Sequence, residues 1–402
     1  MSGAFEKLIN ILSSIVVKGN KNILVEKDSL NEILILAKKQ GLFEVVCCML
    51  KETDELSQYK NMAVINVARN IQRNMFWQHH LDCYENNSDI CYIKGITLAR
   101  FYPVPDARVS GDTDILIKEC DIKGISNYFT KQKCMVETLK NGMHHFEIHH
   151  GTSGMLEVHV SLCRDFLNTT LFKNMLTYNE PLIDISIENK IYKTLGINDG
   201  VNFITAHLIK HFLQDGIIFR QVLDLLLYMN YYVKEIDWDK YYKLWENLGF
   251  LPFIKAIQGI GNKYFMFDFK NCEFNKLSEK ILTEIENSSM LKMDKNDKKI
   301  FVDTYLKLHN DMNKNEYVHL SKMNQYSLKE RLFPDLVSMQ KRGYKYLKEK
   351  PYLICFAWLH RLFSIVIGKN YRKKRKETDI AGSSVPETVQ NRLTLFDDLK
   401  MI

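Results

Sequence analysis

Asp112 and Asp114 stand two residues apart at the head of an apolar run, Asp112-Thr113-Asp114-Ile115-Leu116-Ile117. Side chains of a strand alternate between its faces, so residues i and i+2 emerge together, about 6.5 Å apart along the chain. The two carboxylates therefore share one face. Thr113, Ile115 and Ile117 share the other, where they can bury. Paired carboxylates repel and raise each other's pKa unless a cation or basic group sits between them. Hard divalent cations such as Mg²⁺ suit this donor set, which water and phosphate oxygens complete. Taken alone, the pair is equally compatible with a strand end whose acids merely solvate its mouth.

Two neighbouring segments favour the metal reading. Upstream, Ile90-Cys91-Tyr92-Ile93-Lys94-Gly95 leads into Ile96 to Tyr102, the pattern of a strand, a tight turn and a short helix. Glycine at that turn allows the backbone to approach a phosphate, with N–H donors at the helix start. Downstream, Met155 to Val160 alternates cleanly, with Leu156, Val158 and Val160 on one face and Glu157 and His159 on the other. Glu157 thus offers a third carboxylate on a separate strand. Glu147, in the alternating run His145 to His149, competes for that place.

A strand-Gly-helix unit, a D-x-D strand and a third acid on a later strand resemble the nucleotidyltransferase superfamily of the DNA polymerase β type. Lys94-Gly95, Arg108 and Ser110 ahead of Asp112, Glu157-Val158-His159 and a later His207-x-x-x-His211 are similar to an uncharacterised bacterial nucleotidyltransferase group often encoded among surface-polysaccharide genes. The resemblance covers roughly residues 60 to 365. It implies Asp112, Asp114 and Glu157 as ligands of two divalent metals, Mg²⁺ or Mn²⁺, and Gly95 as the turn that holds a nucleoside triphosphate, ATP first among them. Lys94 and Arg108 become phosphate partners. Ile96 follows Gly95 where the superfamily has Gly or Ser, so a hydroxyl contact to phosphate falls to Thr97. Ser110 joins the nucleotide site. Lys210, with His207, His211 and Asp224, either faces nucleotide and acceptor or satisfies a polar seam between helices. The HExxH glutamate is missing, since residue 208 is Leu, which argues against zinc.

The expected fold is α+β: a small mixed-sheet nucleotidyltransferase core flanked by N-terminal and C-terminal helical regions. Apolar spacing predicts helices over 5–17, 30–39, 43–51 and 57–84. Strands follow near 90–94, 112–117, 133–139, 144–150 and 155–160, with a helix near 121–131. Beyond Pro181 the pattern reads as helical again, including 201–214 and 219–231. The corresponding divisions are 1–88, 89–180, 181–350 and 351–402.

With 402 residues and 46% hydrophobic content, the chain can bury a sizeable core of more than one unit. Nine cysteines without C-x-x-C spacing, and no basic-then-apolar leader, point to a reduced, cytoplasmic setting. Cys47-Cys48, inside an apolar run, reads as buried helix core. The paired histidines, His79-His80, His144-His145 and His149-His150, read mostly as surface residues. His159 can orient Glu157 from the same face.

Tyr352 to Gly368 is apolar but interrupted by His360 and Arg361, too short to span a bilayer. It runs into Lys369 to Lys376, six basic residues in eight. Segment 352–376 is either a buried helix with a solvated basic linker or a peripheral contact with an anionic membrane surface. A net charge of +7 without a stacking aromatic platform disfavours nucleic acid. Residues 378–387 read as mobile. Two functions remain: a metal-dependent transferase acting from a nucleoside triphosphate on an unidentified acceptor, or a non-catalytic descendant serving as a binding scaffold.

Overall fold

The computed structural model describes residues 1–85, 90–139, 145–151, 153–162, 180–187, 190–214, 216–287 and six residues further on. Those up to 287 lie in one compact unit; Met339, Leu347, Leu353, Ile354, Ala357 and Trp358 lie in a second, where they form a small apolar cluster. The basic run and the tail lie outside the described residues, as does most of segment 352–376. No helix among the described residues is long and apolar enough to cross a membrane.

Four helices open the chain: α1 (Gly3–Val16), α2 (Lys27–Lys39), α3 (Phe43–Met49) and α4 (Asp54–Asp82). Ser2 Oγ accepts from Phe5 N at 3.3 Å, and Thr53 Oγ1 from Leu56 N at 3.3 Å, so α1 and α4 each start on a side-chain cap. In α1, Phe5, Leu8, Ile9, Leu12 and Ile15 recur at helical spacing and are fully buried. Cys47 is buried but Cys48 is exposed. Successive helical residues point about 100° apart, so only one of an adjacent pair can face the core.

The sheet follows: β1 (Cys91–Tyr92), the single turn α5 (Ile96–Ala99), β2 (Asp112–Leu116), α6 (Ile122–Lys131), β3 (Met135–Val136), β4 (His145–His150), β5 (Gly154–His159), β6 (Ile183–Ile187) and β7 (Lys190–Thr194). Strand order is β3-β4-β5-β2-β1-β7-β6. The pairs β2·β5 and β1·β7 are parallel and the others antiparallel, which makes the sheet mixed as expected.

Ile115, Ile117, Phe146, Ile148, Leu156 and Val158 cover one face of this sheet, packed with Trp77 and Leu81 of α4 and Ile125 and Phe129 of α6. Burying each such side chain stabilises the fold by about 1.5–3 kcal/mol. Trp77 Nε1 also donates to Ser153 O at 2.9 Å, fixing α4 on the β4–β5 turn. The opposite face keeps the polar alternates and carries the site.

The β6–β7 hairpin corrects the expectation that helices resume after Pro181. Ile183, Ile185 and Ile187 alternate with Asp184 and Ser186, and β7 pairs with β1 through Tyr92 and Thr194. The sheet-bearing segment therefore runs to Thr194 and does not end near residue 180. Helices follow: α7 (Ile197–Gln214), α8 (Phe219–Tyr231), α9 (Trp238–Asn247), α10 (Leu251–Phe265) and α11 (Lys276–Asn287). Glu180 accepts from the N–H groups of Asn198 (2.8 Å) and Asp199 (3.3 Å), a carboxylate at the positive end of α7. Buried Gln40 aligns α8, its Oε1 accepting from Phe219 N at 2.8 Å and its Nε2 donating to Ile285 O at 3.0 Å.

Candidate active site

Alternation in β2 works as its sequence requires: Thr113, Ile115 and Ile117 turn to the core, and Asp112 and Asp114 to the other face. Asp114 is only 2% exposed. The parallel register sets Asp114 beside Glu157 of β5. Asp112, Asp114 and Glu157 each bring a carboxylate oxygen within 4.8 Å of the others. Glu147 faces the same way but sits one strand further out, opposite Glu157, with His149 Nε2 at 2.9 Å from its Oε2. Strand order thus separates two acids that alternation alone could not.

Lys94 reaches into the triad. Its Nζ lies 2.7 Å from Asp114 Oδ1, 3.9 Å from Glu157 Oε2 and 3.2 Å from His207 Nε2. Burial opposes its charge, but Asp114, Glu157 and Asp112 outweigh that and hold its pKa above the usual lysine value. Asp112 is raised by burial and by Asp114, with Lys94 opposing. Burial alone would raise Glu157 too, yet hydrogen bonding from His159 and the charge of Lys94 pull it well below the usual carboxylate range. His159 Nε2 stands 3.3 Å from Asp114 Oδ1 and 3.6 Å from Glu157 Oε2, so it does lie beside Glu157.

Beside the triad is the Gly95 turn, with φ +58° and ψ −107°, a conformation open to glycine. Arg108 Nη1 donates to Gly95 O at 3.2 Å, while Arg108 Nε and Nη2 grip Asp224 at 2.8 and 2.5 Å. Tyr102 adds its hydroxyl to Asp224 at 2.8 Å. Arg108 thus braces the turn, and Asp224 serves Arg108. Ser110 Oγ donates to Asp112 O at 2.9 Å and accepts from Arg73 Nη2 at 3.3 Å.

A cavity of about 320 Å³ joins these groups, of ligand-binding size. Lys94, Gly95, Arg108, Ser110, Asp112, Asp114, Glu157 and Lys210 all line it. Thr97 does not. It is buried, and its Oγ1 donates back to Lys94 O at 3.4 Å, because the second residue of a single helical turn can satisfy the turn's own carbonyl. With four residues, α5 is also too short to add much dipole.

Helices α7 and α8 supply the rest. His207 and His211 share one face as their spacing requires, Nε2 to Nε2 3.2 Å apart. Burial first, then the charges of Lys94, His211 and Lys210, keep the His207 pKa well below the ordinary imidazole value. Arg220 lines the cavity from α8 and donates through Nη1 to Val109 O at 2.6 Å. Its buried Nε has no hydrogen-bond partner among the described residues. His145, read as a surface residue, has Nε2 3.1 Å from Glu157 Oε1. Its signal was register: β4 runs antiparallel to β5 and pairs His145 with His159.

A mixed sheet whose D-x-D strand lies parallel to the strand of a third acid, beside a glycine turn and under helices, has the layout of a nucleotidyltransferase core. Residues 26–265 match the family described as uncharacterised nucleotidyltransferase, and the chain belongs to that family. The match begins and ends earlier than the 60–365 expected from the motifs, running from the residue before α2 to the end of α10 and enclosing the whole site. No curated protein and no solved structure matches the chain.

Proposed function

We propose that the protein transfers a nucleoside monophosphate from a nucleoside triphosphate, ATP being the first to test, to a hydroxyl or phosphate group of an acceptor. One observation carries this reading: Asp112, Asp114 and Glu157 gather within 4.8 Å in a cavity also lined by Lys210 and Arg220. Three carboxylates from neighbouring strands form an all-oxygen donor set, which suits Mg²⁺ or Mn²⁺. A divalent ion held there would stabilise the charge that builds on the α-phosphate and on the departing pyrophosphate.

The chain's own residues do the positioning. Gly95 has no side chain to keep a phosphate from its backbone, and Arg108 holds that turn in place. Arg220 and Lys210 offer positive charge to phosphate oxygens, Arg220 with a guanidinium N–H still to be used. His145 and His159 hold Glu157 in place, and His159 with Lys94 keeps it ionised. The acceptor oxygen then bonds to the α-phosphorus as the bond to the β-phosphate bridge breaks, and the acceptor's proton passes to water.

The test is incubation with each triphosphate labelled at the α-phosphate, Mg²⁺ and cell extract. Label is expected to move to one acceptor, whose nature as small molecule, glycan precursor or protein is read directly. A variant carrying Asp112→Asn and Asp114→Asn is expected to transfer none. Equal labelling by that variant overturns the reading. A wild-type protein that binds no triphosphate points instead to the scaffold role.

A further inference from the structure

We infer that Lys94 is a built-in cation of the acid cluster, occupying in charge the role of one of two divalent ions, so that the triad works with a single metal. This rests on the reading above of Asp112, Asp114 and Glu157 as metal-holding residues.

Geometry carries the inference. Lys94 is pinned by its own backbone: its carbonyl accepts from Thr97 N at 3.2 Å, and the preceding Ile93 N donates to Asp114 O at 3.3 Å. Its side chain, leaving an anchored strand end, spans to the triad. An ammonium has three donors and no acceptor. Two donors have partners at hydrogen-bond distance, Asp114 Oδ1 at 2.7 Å and His207 Nε2 at 3.2 Å, and Glu157 Oε2 lies 3.9 Å away, within ion-pair reach. His207 contributes a lone pair and no competing charge. Asp114 is 2% exposed, and the groups set against its Oδ1 are Lys94 Nζ at 2.7 Å and His159 Nε2 at 3.3 Å.

Charge arithmetic points the same way. Three carboxylates carry −3, Lys94 brings this to −2, and one divalent ion brings it to zero. Before a triphosphate binds, a second divalent ion would make the cluster +2 beside Arg220.

The decisive measurement counts Mn²⁺ by electron paramagnetic resonance, with the protein saturated by non-transferable α,β-methylene analogues of the four nucleoside triphosphates. Wild-type protein is expected to hold one Mn²⁺ per chain, with the spectrum of an isolated ion. Lys94→Met is expected to hold two, spin-coupled, and Lys94→Arg to hold one. Two coupled ions in the wild type overturn the inference and leave the metal-holding triad standing. A single ion in Lys94→Met also overturns it. If Lys94→Met does not fold, the wild-type and Lys94→Arg counts decide. A variant with Asp112→Asn and Asp114→Asn that binds Mn²⁺ like the wild type removes the ion from the triad, and both readings fall together.

Discussion

Arg108 and Asp224, 116 residues apart, meet as a buried two-pronged pair, Nε to Oδ1 at 2.8 Å and Nη2 to Oδ2 at 2.5 Å. The pair ties the approach to β2 onto helix α8, and the third guanidinium nitrogen holds the Gly95 carbonyl. Removing one partner leaves a buried charge uncompensated, at a cost of about 3–5 kcal/mol. Asp224→Ala is therefore expected to lose that much unfolding free energy in urea. Arg108→Leu combined with Asp224→Leu is expected to lose less than the two single variants summed, and simple additivity would contradict the pairing.

Asp112 and Asp114 are expected to respond in opposite directions to loss of charge. Asp112 has a raised pKa, from burial and from Asp114, so its ionisation weakens the fold as pH rises through the carboxylate range. Asp112→Asn should leave the melting temperature at pH 7 unchanged or higher. Asp114→Asn takes from Lys94 its nearest carboxylate and should cost about 1.5–3 kcal/mol. Melting both variants in EDTA checks the contrast.

His207 gives the fold a pH dependence on the acid side. Burial and the Lys94 charge hold its folded pKa below its unfolded value of about 6.5, so the unfolded chain binds the proton first. Its contribution is complete above that value and is lost as pH falls below it. His207→Gln should flatten the decline in unfolding free energy between pH 7.5 and 5.5 relative to wild type. An unaltered slope would place the titration elsewhere.

Gly95→Ala separates space from conformation. A Cβ there would meet nothing nearer than Asp112 O at 3.8 Å, so volume is not the obstacle. The backbone at φ +58°, ψ −107° is, and an alanine there should cost about 1–3 kcal/mol. Denaturation of the variant measures this directly, and a cost near zero would mean that the turn relaxes freely.

The sequence made the helices legible because their apolar spacing is regular: α1, α4 and α8 begin and end within a few residues of where periodicity puts them. The faces of Asp112, Asp114, Glu157 and His159 were legible for the same reason, since alternation is local. What local pattern could not say is which strand lies next to which. Glu147 and Glu157 alternate equally well, and only the placement of β5 beside β2 separates them. The β6–β7 hairpin carried a signal in Ile183, Ile185 and Ile187, but its partner β1 is two residues long and advertises little. Arg108 and Asp224, like Lys94 and His207, are joined across more than a hundred residues by tertiary packing and leave no mark in spacing.

The place of β7 beside β1 has a consequence in time. Thr194 Oγ1 donates to Tyr92 O at 2.6 Å, from 102 residues later in the chain. During synthesis, β1 and its Gly95 turn exist long before the strand that covers their open side. A nascent chain halted before residue 190 would present that bare edge to its neighbours, and slow closure of such distant pairings is where misassembly begins. Ribosome-bound chains of increasing length should gain protease resistance in residues 90–160 only once β7 has cleared the exit tunnel.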